Sequence, residues 1–359
     1  MTIGLGIFGY GFIAAAHLEG LLRIPEFAVR AVCGPNPERA RAFATRFDIP
    51  HVTTEPLDLL AQPGIDGVLI DTPDRSHATL ALLAVQHRKH IFCEKPLATS
   101  FAEAVAMTEA AERAGLRTLV GFSNRWNPFF GHVRQLISAG QLGRIYHVHA
   151  QSFNTGLLGR QPPFTWRTDP GRTGTGILGD LGAHTIDLLH FLLGPIEEVC
   201  ASLRTCKPTL YDPETGAAHA AAVDDEALLL IRLRGGIEGT IALSRLGAEF
   251  SDFPVGHRQL LIGGEAAAVT YENGAGRLYR PDHTWELLPS DQPPEGLDHA
   301  DYLARGTERI LRTFLEEIQS GTDVGPTFRD GLRCQAVLEA AEDSARTHSW
   351  EPVTSVDSI

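Results

Sequence analysis

Short apolar strand patterns alternate with helix-length segments through roughly the first 120 residues of the chain. Ile3 to Phe8 is apolar and stops at Gly9, and residues 67–70 and 90–93 form two further apolar runs. Helical segments separate them, such as the one that begins with Asn36 as a plausible N-cap and Pro37 at the first helical position. This alternation predicts an α/β fold with a doubly wound parallel sheet.

The pattern changes near Phe122, after which strands dominate and tight turns such as Asn273-Gly274 favour antiparallel hairpins. We predict a Rossmann domain over residues 1–122 and an α+β domain over residues 123–359, with a large, mostly antiparallel open sheet. Helices are expected at about 127–138, 177–191, 302–320 and 328–347 in the second domain, the last packing back toward the first domain. Residues 208–222 are small and polar and are expected to form an exposed loop.

Composition limits the partners of this protein. The chain has 359 residues and a net charge of −13, which disfavours binding to nucleic acid or to an anionic membrane surface. No stretch is apolar for long enough to span a bilayer, and the N-terminus has no signal-peptide pattern. Five cysteines without a CxxC pair indicate reduced thiols, so we expect a cytoplasmic protein.

A glycine-rich turn follows the first predicted strand. Gly9-Tyr10-Gly11-Phe12-Ile13-Ala14 fits GxGxxA and opens a helix within a βαβ unit. The first glycine permits the tight turn, the second lets the backbone approach a pyrophosphate, and Ala14 permits close helix–strand packing. Because a helix N-terminus also favours an anion, the turn predicts a dinucleotide cofactor, with a plain tight turn as the alternative.

The end of the second predicted strand carries no acid for the ribose 2′-hydroxyl. Gly34 stands at that position, and Arg39 follows on the next helix. Without a carboxylate nothing repels a 2′-phosphate, and Arg39 is placed to bind one, although a solvated surface arginine is an equal alternative. The sequence therefore leans toward NADP, with NAD as the alternative.

A lysine stands at the carboxyl end of a predicted buried strand, in Glu94-Lys95-Pro96. A following proline disfavours helix at Lys95 and holds it extended. Since ligands bind outside the carboxyl ends of strands in an open parallel sheet, we expect Lys95 to face the ligand, near the nicotinamide. A surface ion pair with Glu94 is the alternative.

A second cluster of polar residues lies in the apolar helix predicted at 177–191. Asp180 and His184 are i and i+4, and Asp187 is three residues further, so all three are expected on one stripe. Histidine suits proton transfer near neutral pH, and a nearby carboxylate would orient it. The alternatives are an N-capping Asp180 with a structural His184, and a metal site, which lacks a third ligand of matching spacing.

These motifs occur in a familiar order: GxGxxA, then Thr72-Pro73-Asp74 with His77, then Glu94-Lys95-Pro96, then Gly176 to Asp187. Together they closely resemble the Gfo/Idh/MocA oxidoreductase family, and the resemblance covers nearly the whole chain. It implies an N-terminal Rossmann domain and a C-terminal domain whose open sheet forms homodimers or homotetramers. It also implies that Lys95, Asp180 and His184 are the catalytic residues.

The resemblance further implies that Thr72, Pro73 and His77 line the nicotinamide side, with Glu94 and Asn124 nearby. The complete predicted cofactor-binding set is Gly9, Gly11, Phe12, Ile13, Gly34, Arg39, Thr72, Pro73, His77, Glu94, Lys95 and Asn124. Two departures from the family pattern bear on the cofactor. Asp74 stands where an asparagine is frequent, and Gly34 stands where NAD-specific members carry an acid.

Substrate selection is expected to come from the second domain. The candidates, beside the three catalytic residues, are Arg125, Asn154, Trp166 and Arg167. Trp166 is suited to pack against a sugar face, and Arg167 to bond hydroxyls or a carboxylate; core packing and a structural ion pair are the alternatives.

Three functions fit this sequence. The first is an NAD(P)-dependent dehydrogenase or reductase that acts on a CH–OH group of a sugar, polyol or inositol-like substrate. The second is a glycoside-cleaving enzyme on the same scaffold that retains its NAD. The third is a cofactor-binding regulator without chemistry, which the presence of Lys95, Asp180 and His184 disfavours.

Overall fold

The computed structural model describes residues 2–247, 257–289 and 299–357, and the chain divides into two compact units. The first unit runs to Ser123 and also contains a C-terminal stretch that ends at Leu332. The second unit contains the remaining residues. The domain division at residue 122 predicted from the sequence left that C-terminal stretch in the second domain.

The first unit contains a six-stranded parallel sheet, which confirms the predicted Rossmann fold. Its strands are β1 (Ile3–Phe8), β2 (Phe27–Cys33), β3 (His51–Thr53), β4 (Gly67–Ile70), β5 (His90–Cys93) and β6 (Thr118–Val120). Their order is β3-β2-β1-β4-β5-β6, and every neighbouring pair is parallel. In this order successive strands are added outward from β1 to β3 on one side and from β4 to β6 on the other, so the strand order reverses between β1 and β4. In sheets of this kind, ligands bind outside the carboxyl ends of the strands at such a point.

Helices connect these strands, as the sequence predicts. They are α1 (Phe12–Leu21), α2 (Pro37–Phe47), α3 (Pro56–Ala61), α4 (His77–Gln86) and α5 (Phe101–Arg113). The Asn36 side chain accepts a hydrogen bond from the Arg39 N–H at 2.9 Å, so it caps α2 as expected. Strand β4 is buried along its whole length, which is typical of a parallel strand covered on both faces.

The second unit contains the predicted open sheet. Its elements are α6 (Pro128–Ser138), β7 (Ile145–Phe153), α7 (Ala183–Leu193), β8 (Ile196–Arg204), β9 (Thr209–Tyr211), β10 (Ala218–Ala220), β11 (Glu226–Leu233), β12 (Ile237–Ser244), β13 (His257–Gly264), β14 (Ala268–Glu272), β15 (Ala275–Tyr279), β16 (Trp285–Leu287) and β17 (Glu351–Pro352). Nine strands lie in the order β16-β15-β14-β13-β7-β12-β11-β8-β17. Only β7 and β12 pair in parallel among the described strands of this sheet.

The nine-stranded sheet has one buried and one open face. Along β11, Leu229 and Ile231 are buried, whereas Leu228 and Leu230 are 47% and 49% exposed. Because side chains alternate between the faces of a strand, the two exposed leucines lie on the same open face.

Residues 208–222 are mostly exposed, as predicted, but they form a small two-stranded ribbon rather than an irregular loop. Strands β9 and β10 pair in antiparallel register. The Asp212 carboxylate accepts hydrogen bonds from the N–H groups of Glu214 and Thr215, and Gly216 adopts a φ of +70°. The ribbon has three-residue strands, which are too short to leave a periodic pattern in the sequence.

Two long helices complete the fold, α8 (His299–Ser320) and α9 (Phe328–Thr347), and both match the sequence prediction. Helix α8 packs within the first unit, where Thr307 Oγ1 donates to the Ala16 carbonyl at 2.9 Å. The Phe314 ring is fully buried against Phe27 and Phe92. None of the helices in the described residues combines the length and the apolarity needed to cross a membrane.

Candidate active site

The glycine turn after β1 has the geometry that the sequence predicts. Gly9 has a φ of +107°, and a Cβ atom there would overlap the carbonyl oxygen of Asp71, so only glycine fits. A Cβ atom at Gly11 would meet nothing within 4 Å, which leaves open space over the start of α1. No side chain caps the N-terminus of α1, and Phe12 is 70% exposed beside it. The first-turn N–H groups of Phe12 and Ile13 are therefore available to an anion.

The end of β2 is shaped by an aromatic ring. A Cβ atom at Gly34 would overlap the ring of Tyr10, so the glycine makes room for that ring. The Tyr10 hydroxyl accepts a hydrogen bond from the Asn36 N–H at 3.0 Å, and the Arg39 guanidinium lies 5.3 Å from the ring centroid. The end of β2, where the adenosine of a dinucleotide is predicted to bind, therefore presents the Tyr10 ring, Asn36 and the Arg39 guanidinium.

His77 joins the segments that follow β4 and β5. Its Nδ1 lies 2.9 Å from the Pro96 carbonyl oxygen and its Nε2 lies 2.9 Å from the Thr72 carbonyl oxygen. A neutral imidazole can donate only one hydrogen bond, whereas an imidazolium satisfies both carbonyls. Burial acts to lower the pKa of His77, but Cys93, Asp74 and the Thr72 carbonyl outweigh it, so the pKa is raised. The His77 ring thus connects the segments after β4 and β5 through the Thr72 and Pro96 carbonyls.

Glu94 belongs to a buried group of ionisable side chains. His17 Nδ1 lies 2.9 Å from Asp71 Oδ1, and His17 Nε2 lies 3.6 Å from Glu94 Oε1. Burial alone would lower the pKa of His17, but the two carboxylates outweigh it and raise the pKa. Burial also raises the pKa of Glu94, against the opposing effects of His17 and Lys95. The histidine therefore holds Glu94 in place below the strand ends.

Lys95 lies two residues after the end of β5, at the sheet edge where Gly9 and Thr72 also lie. Its backbone N–H donates to Glu94 Oε2 at 3.1 Å, and its peptide bond to Pro96 is cis. The buried His17–Glu94 pair and the His77 bridge to Pro96 thus hold the backbone on both sides of Lys95. The lysine is partly buried, as a group that faces a ligand should be.

The segment with Asp180 and His184 begins with a π-helical turn over Leu178–Gly182 and continues as α7. The Asp224 carboxylate accepts hydrogen bonds from the N–H groups of Gly176 and Leu178 at 2.6 and 2.8 Å. This turn departs from regular helical spacing. A common stripe of Asp180, His184 and Asp187 stays a prediction. Wider turns of this kind are frequent at functional sites.

Asp180 lies between two arginines. Arg167 Nε is 3.6 Å from Asp180 Oδ1, and Arg245 Nη2 is 3.4 Å from Asp180 Oδ2. Arg245 is only 4% exposed, and its Nη1 donates to the Arg167 carbonyl oxygen at 3.2 Å. One buried guanidinium therefore positions both the carboxylate and the turn with Trp166. The Arg167 guanidinium also lies 4.5 Å from the Trp166 ring centroid.

His184 lines a partly open cavity within the second unit. The cavity walls include Asn124, Leu181, His184, Leu188, Arg258 and Tyr271. The Asn124 side chain donates to the His184 carbonyl oxygen at 3.4 Å and accepts from Arg258 Nη1 at 3.1 Å. Asn124, which the resemblance places near the nicotinamide, thus belongs to the surroundings of His184.

The other substrate candidates have structural contacts. Arg125 forms a two-pronged ion pair with Asp187, at 3.0 and 2.6 Å, and Asp187 is 1% exposed. The Asn154 side-chain oxygen accepts the Gly156 N–H at 3.0 Å in a tight turn. These contacts account for both side chains without a ligand, so a substrate role for Arg125 and Asn154 stays a prediction.

The structure thus brings the predicted residues together in two groups. In the first unit, the predicted cofactor-binding residues between positions 9 and 95 lie in the segments that follow the carboxyl ends of β1, β2, β4 and β5. In the second unit, Trp166, Arg167, Asp180 and His184 surround the π-helical turn, with Asn124 beside His184.

Four residues of these surroundings were missed by the sequence reasoning: His17, Asp71, Arg245 and Arg258. His17 left a signal, because a histidine inside the apolar α1 needs a polar partner. The signal at Asp71 was weaker: it is a charged residue directly after a fully buried strand. Arg245 directly follows the alternating apolar strand β12, and Arg258 is the second residue of β13. Neither position differs in sequence from an ordinary strand terminus.

Comparison with known proteins gives the class of the chain. Residues 3–122 match the model of an oxidoreductase family with an NAD-binding Rossmann fold, and residues 130–270 match the GFO/IDH/MocA C-terminal domain. The chain is 27% identical to levoglucosan dehydrogenase of Pseudarthrobacter phenanthrenivorans, over 99% of both chains. It is 29% identical to glucose-6-phosphate 3-dehydrogenase of Bacillus subtilis, over 93% of this chain and 94% of the relative.

A crystal structure of an oxidoreductase domain protein from Kribbella flavida is 30% identical, with a TM-score of 0.90 over 99% of this chain and 100% of that chain. The fold and the matched models define an NAD-binding oxidoreductase. The chain belongs to the Gfo/Idh/MocA oxidoreductase family, which confirms the resemblance seen in the sequence. The open space at Gly11 and the uncapped start of α1 fit the pyrophosphate of such a cofactor.

Proposed function

We propose that this protein transfers a hydride between a nicotinamide cofactor and a CH–OH carbon of a sugar, polyol or inositol-like substrate. The observation that carries the proposal is the placement of Lys95 at the sheet edge that also bears the glycine turn. Asp180 adds a carboxylate on the capped π-helical turn, and His184 adds an imidazole in the first turn of α7. Relatives named as dehydrogenases of levoglucosan and of glucose 6-phosphate support this class of substrate.

The side chains divide the chemistry between them. The cofactor, when bound, supplies the nicotinamide carbon that accepts or returns the hydride. In the oxidation direction, His184 takes the hydroxyl proton as the carbon–oxygen double bond forms. The Lys95 ammonium stabilises the negative charge that develops on the same oxygen. Asp180, oriented by Arg167 and Arg245, fixes the substrate hydroxyl, and reduction follows the same steps in reverse.

We further propose that NADP is used in preference to NAD. The end of β2 presents Gly34, Asn36 and Arg39, and the Arg39 guanidinium lies over the Tyr10 ring. A 2′-phosphate would find a cation there, and a charge-assisted hydrogen bond of this kind contributes about 1.5–3 kcal/mol. The expected kcat/KM for NADP is therefore about tenfold higher than for NAD.

A single screen tests both statements. Polyols, aldoses, inositols and aryl glycosides are incubated with NAD and with NADP, and the reduced nicotinamide is followed by its absorbance. We expect stoichiometric reduction of the cofactor with at least one polyol or sugar, and faster turnover with NADP.

Two outcomes of the screen would contradict the proposal in different ways. Aglycone release from an aryl glycoside without net cofactor reduction would assign the protein to glycoside cleavage instead. A large preference for NAD would contradict the proposed use of NADP, which rests on Gly34 and Arg39. The proposal of hydride transfer would still stand. Binding of either cofactor without turnover of any compound would favour a regulator.

The open face of the nine-stranded sheet supports self-association, and we propose a homodimer or homotetramer through it. Leu228 and Leu230 lie exposed on that face. Because each leucine is already about half buried, covering it with a second copy is worth about 1 kcal/mol for each side chain. We expect Leu228→Lys/Leu230→Lys to shift the mass measured by light scattering to that of a monomer. A wild-type chain that runs as a monomer at micromolar concentration would contradict this.

A further inference from the structure

Arg258 lies in the second position of β13 and shares the cavity with His184. Its Nη1 donates to Asn124 Oδ1 at 3.1 Å, and the same amide donates to the His184 carbonyl oxygen at 3.4 Å. One side-chain amide therefore connects the guanidinium to the backbone of the proposed catalytic histidine. Arg258 lies on the same side of β13 as the buried Leu260, which places it on the face opposite to the exposed Leu228 and Leu230.

Arg258 differs in its charge environment from the other arginines of the site. Arg125 has Asp187 at 2.6 Å, and Arg167 and Arg245 have Asp180 at 3.6 and 3.4 Å. Within residues 2–247, 257–289 and 299–357, no carboxylate lies within 4.0 Å of the Arg258 guanidinium. A partly buried charge is normally paired, because burial removes part of its hydration.

We propose that Arg258 is a specificity-determining residue that binds an anionic group of the substrate, a carboxylate or a phosphate. The proposal rests on the proposed function, since it takes the cavity at His184 as the place of the substrate. A guanidinium presents its donors in a planar fork that matches both groups, and the bond to Asn124 holds the fork in one orientation. The preferred substrates are therefore sugar acids or sugar phosphates rather than neutral sugars.

The test compares matched probes on the wild-type protein and on Arg258→Gln. D-Glucose is the neutral probe, D-gluconate and D-glucuronate carry a carboxylate, and D-glucose 6-phosphate carries a phosphate. Binding of each probe to the NADPH-loaded and NADH-loaded protein is measured by calorimetry, and turnover by nicotinamide absorbance. Arg134→Gln is the matched control, because it removes one exposed arginine of the same unit away from this cavity.

We expect the wild-type protein to bind at least one anionic probe ten times or more tightly than glucose. Arg258→Gln should weaken that binding 10–100-fold, mainly through KM, and change glucose binding less than threefold. Arg134→Gln should bind all probes like the wild type, and both variants should unfold within a few degrees of it. The difference between the carboxylate and phosphate probes decides which anion is bound.

Three results would overturn the inference: no anionic probe binds, neutral and anionic probes bind equally, or Arg258→Gln loses cofactor binding rather than anion binding. The last would place the cofactor's own phosphate at Arg258. If neutral polyols are oxidised at least as well as the anionic probes, and Arg258→Gln does not change the turnover of any probe, the inference fails and the proposed function stands. Arg258-dependent anion binding without turnover of any probe would support the anion site and contradict the proposed function.

Discussion

Lys95→Met should lower kcat by about a thousandfold and leave cofactor binding and thermal unfolding close to those of the wild type. Methionine keeps the unbranched shape of lysine, so the end of β5 should pack as before. The lost ammonium is the group that we propose stabilises charge on the reacting oxygen, and removal of one such donor typically costs a hundredfold to a thousandfold. Steady-state nicotinamide absorbance measures the turnover, and fluorescence of the bound reduced cofactor measures its affinity.

Lys89→Met is the matched control for this variant. Lys89 lies in the same unit, just before β5, and its Nζ donates to the Ile65 carbonyl oxygen at 2.7 Å, at the opposite end of the strand from Lys95. The control should keep turnover within a few-fold of the wild type. Near-normal turnover of Lys95→Met itself would remove the lysine from the catalytic set.

His184→Ala should also lower kcat, by about a hundredfold to ten-thousandfold, because a positioned general base contributes an effect of that size. The substitution enlarges a cavity that Leu181 and Leu188 already line, so added imidazole has a place to bind. We expect imidazole to restore part of the turnover of His184→Ala, in proportion to its concentration. His132→Ala, on α6, is the control and should retain wild-type turnover with no response to imidazole.

A purely structural role for His184 predicts another pattern. The variant would then lose thermal stability along with activity, and imidazole would not restore turnover. Loss through KM with unchanged kcat would also contradict the role of proton acceptor, since it would indicate a contact made equally in the ground state.

The parts of the site that follow strands were predictable, because their determinants are local. A glycine with positive φ at position 9, a proline after Lys95 and an asparagine cap at position 36 are each visible within a few residues of sequence. Parallel strands then bring these segments to one sheet edge by topology alone.

The parts that depend on distant contacts were not predictable. His17 meets Asp71 from 54 positions away, and Arg245 meets Asp180 from 65 positions away. The π-helical turn was not predicted, because i, i+4 spacing was taken to indicate a regular α-helix. Asp224, which caps this turn, lies 46 positions away from Leu178 in the sequence. Asp187 pairs with Arg125, while Asp180 pairs with Arg167 and Arg245.

The central proposal is that Lys95 and His184 act in the same hydride-transfer step. A double-mutant cycle of kcat/KM with Lys95→Met, His184→Ala and the combined variant tests it most directly. Residues that act as one catalytic unit are strongly non-additive, so the double variant should be about as slow as the slower single variant. A loss equal to the product of the two single losses would show that the residues act independently and would contradict the claim.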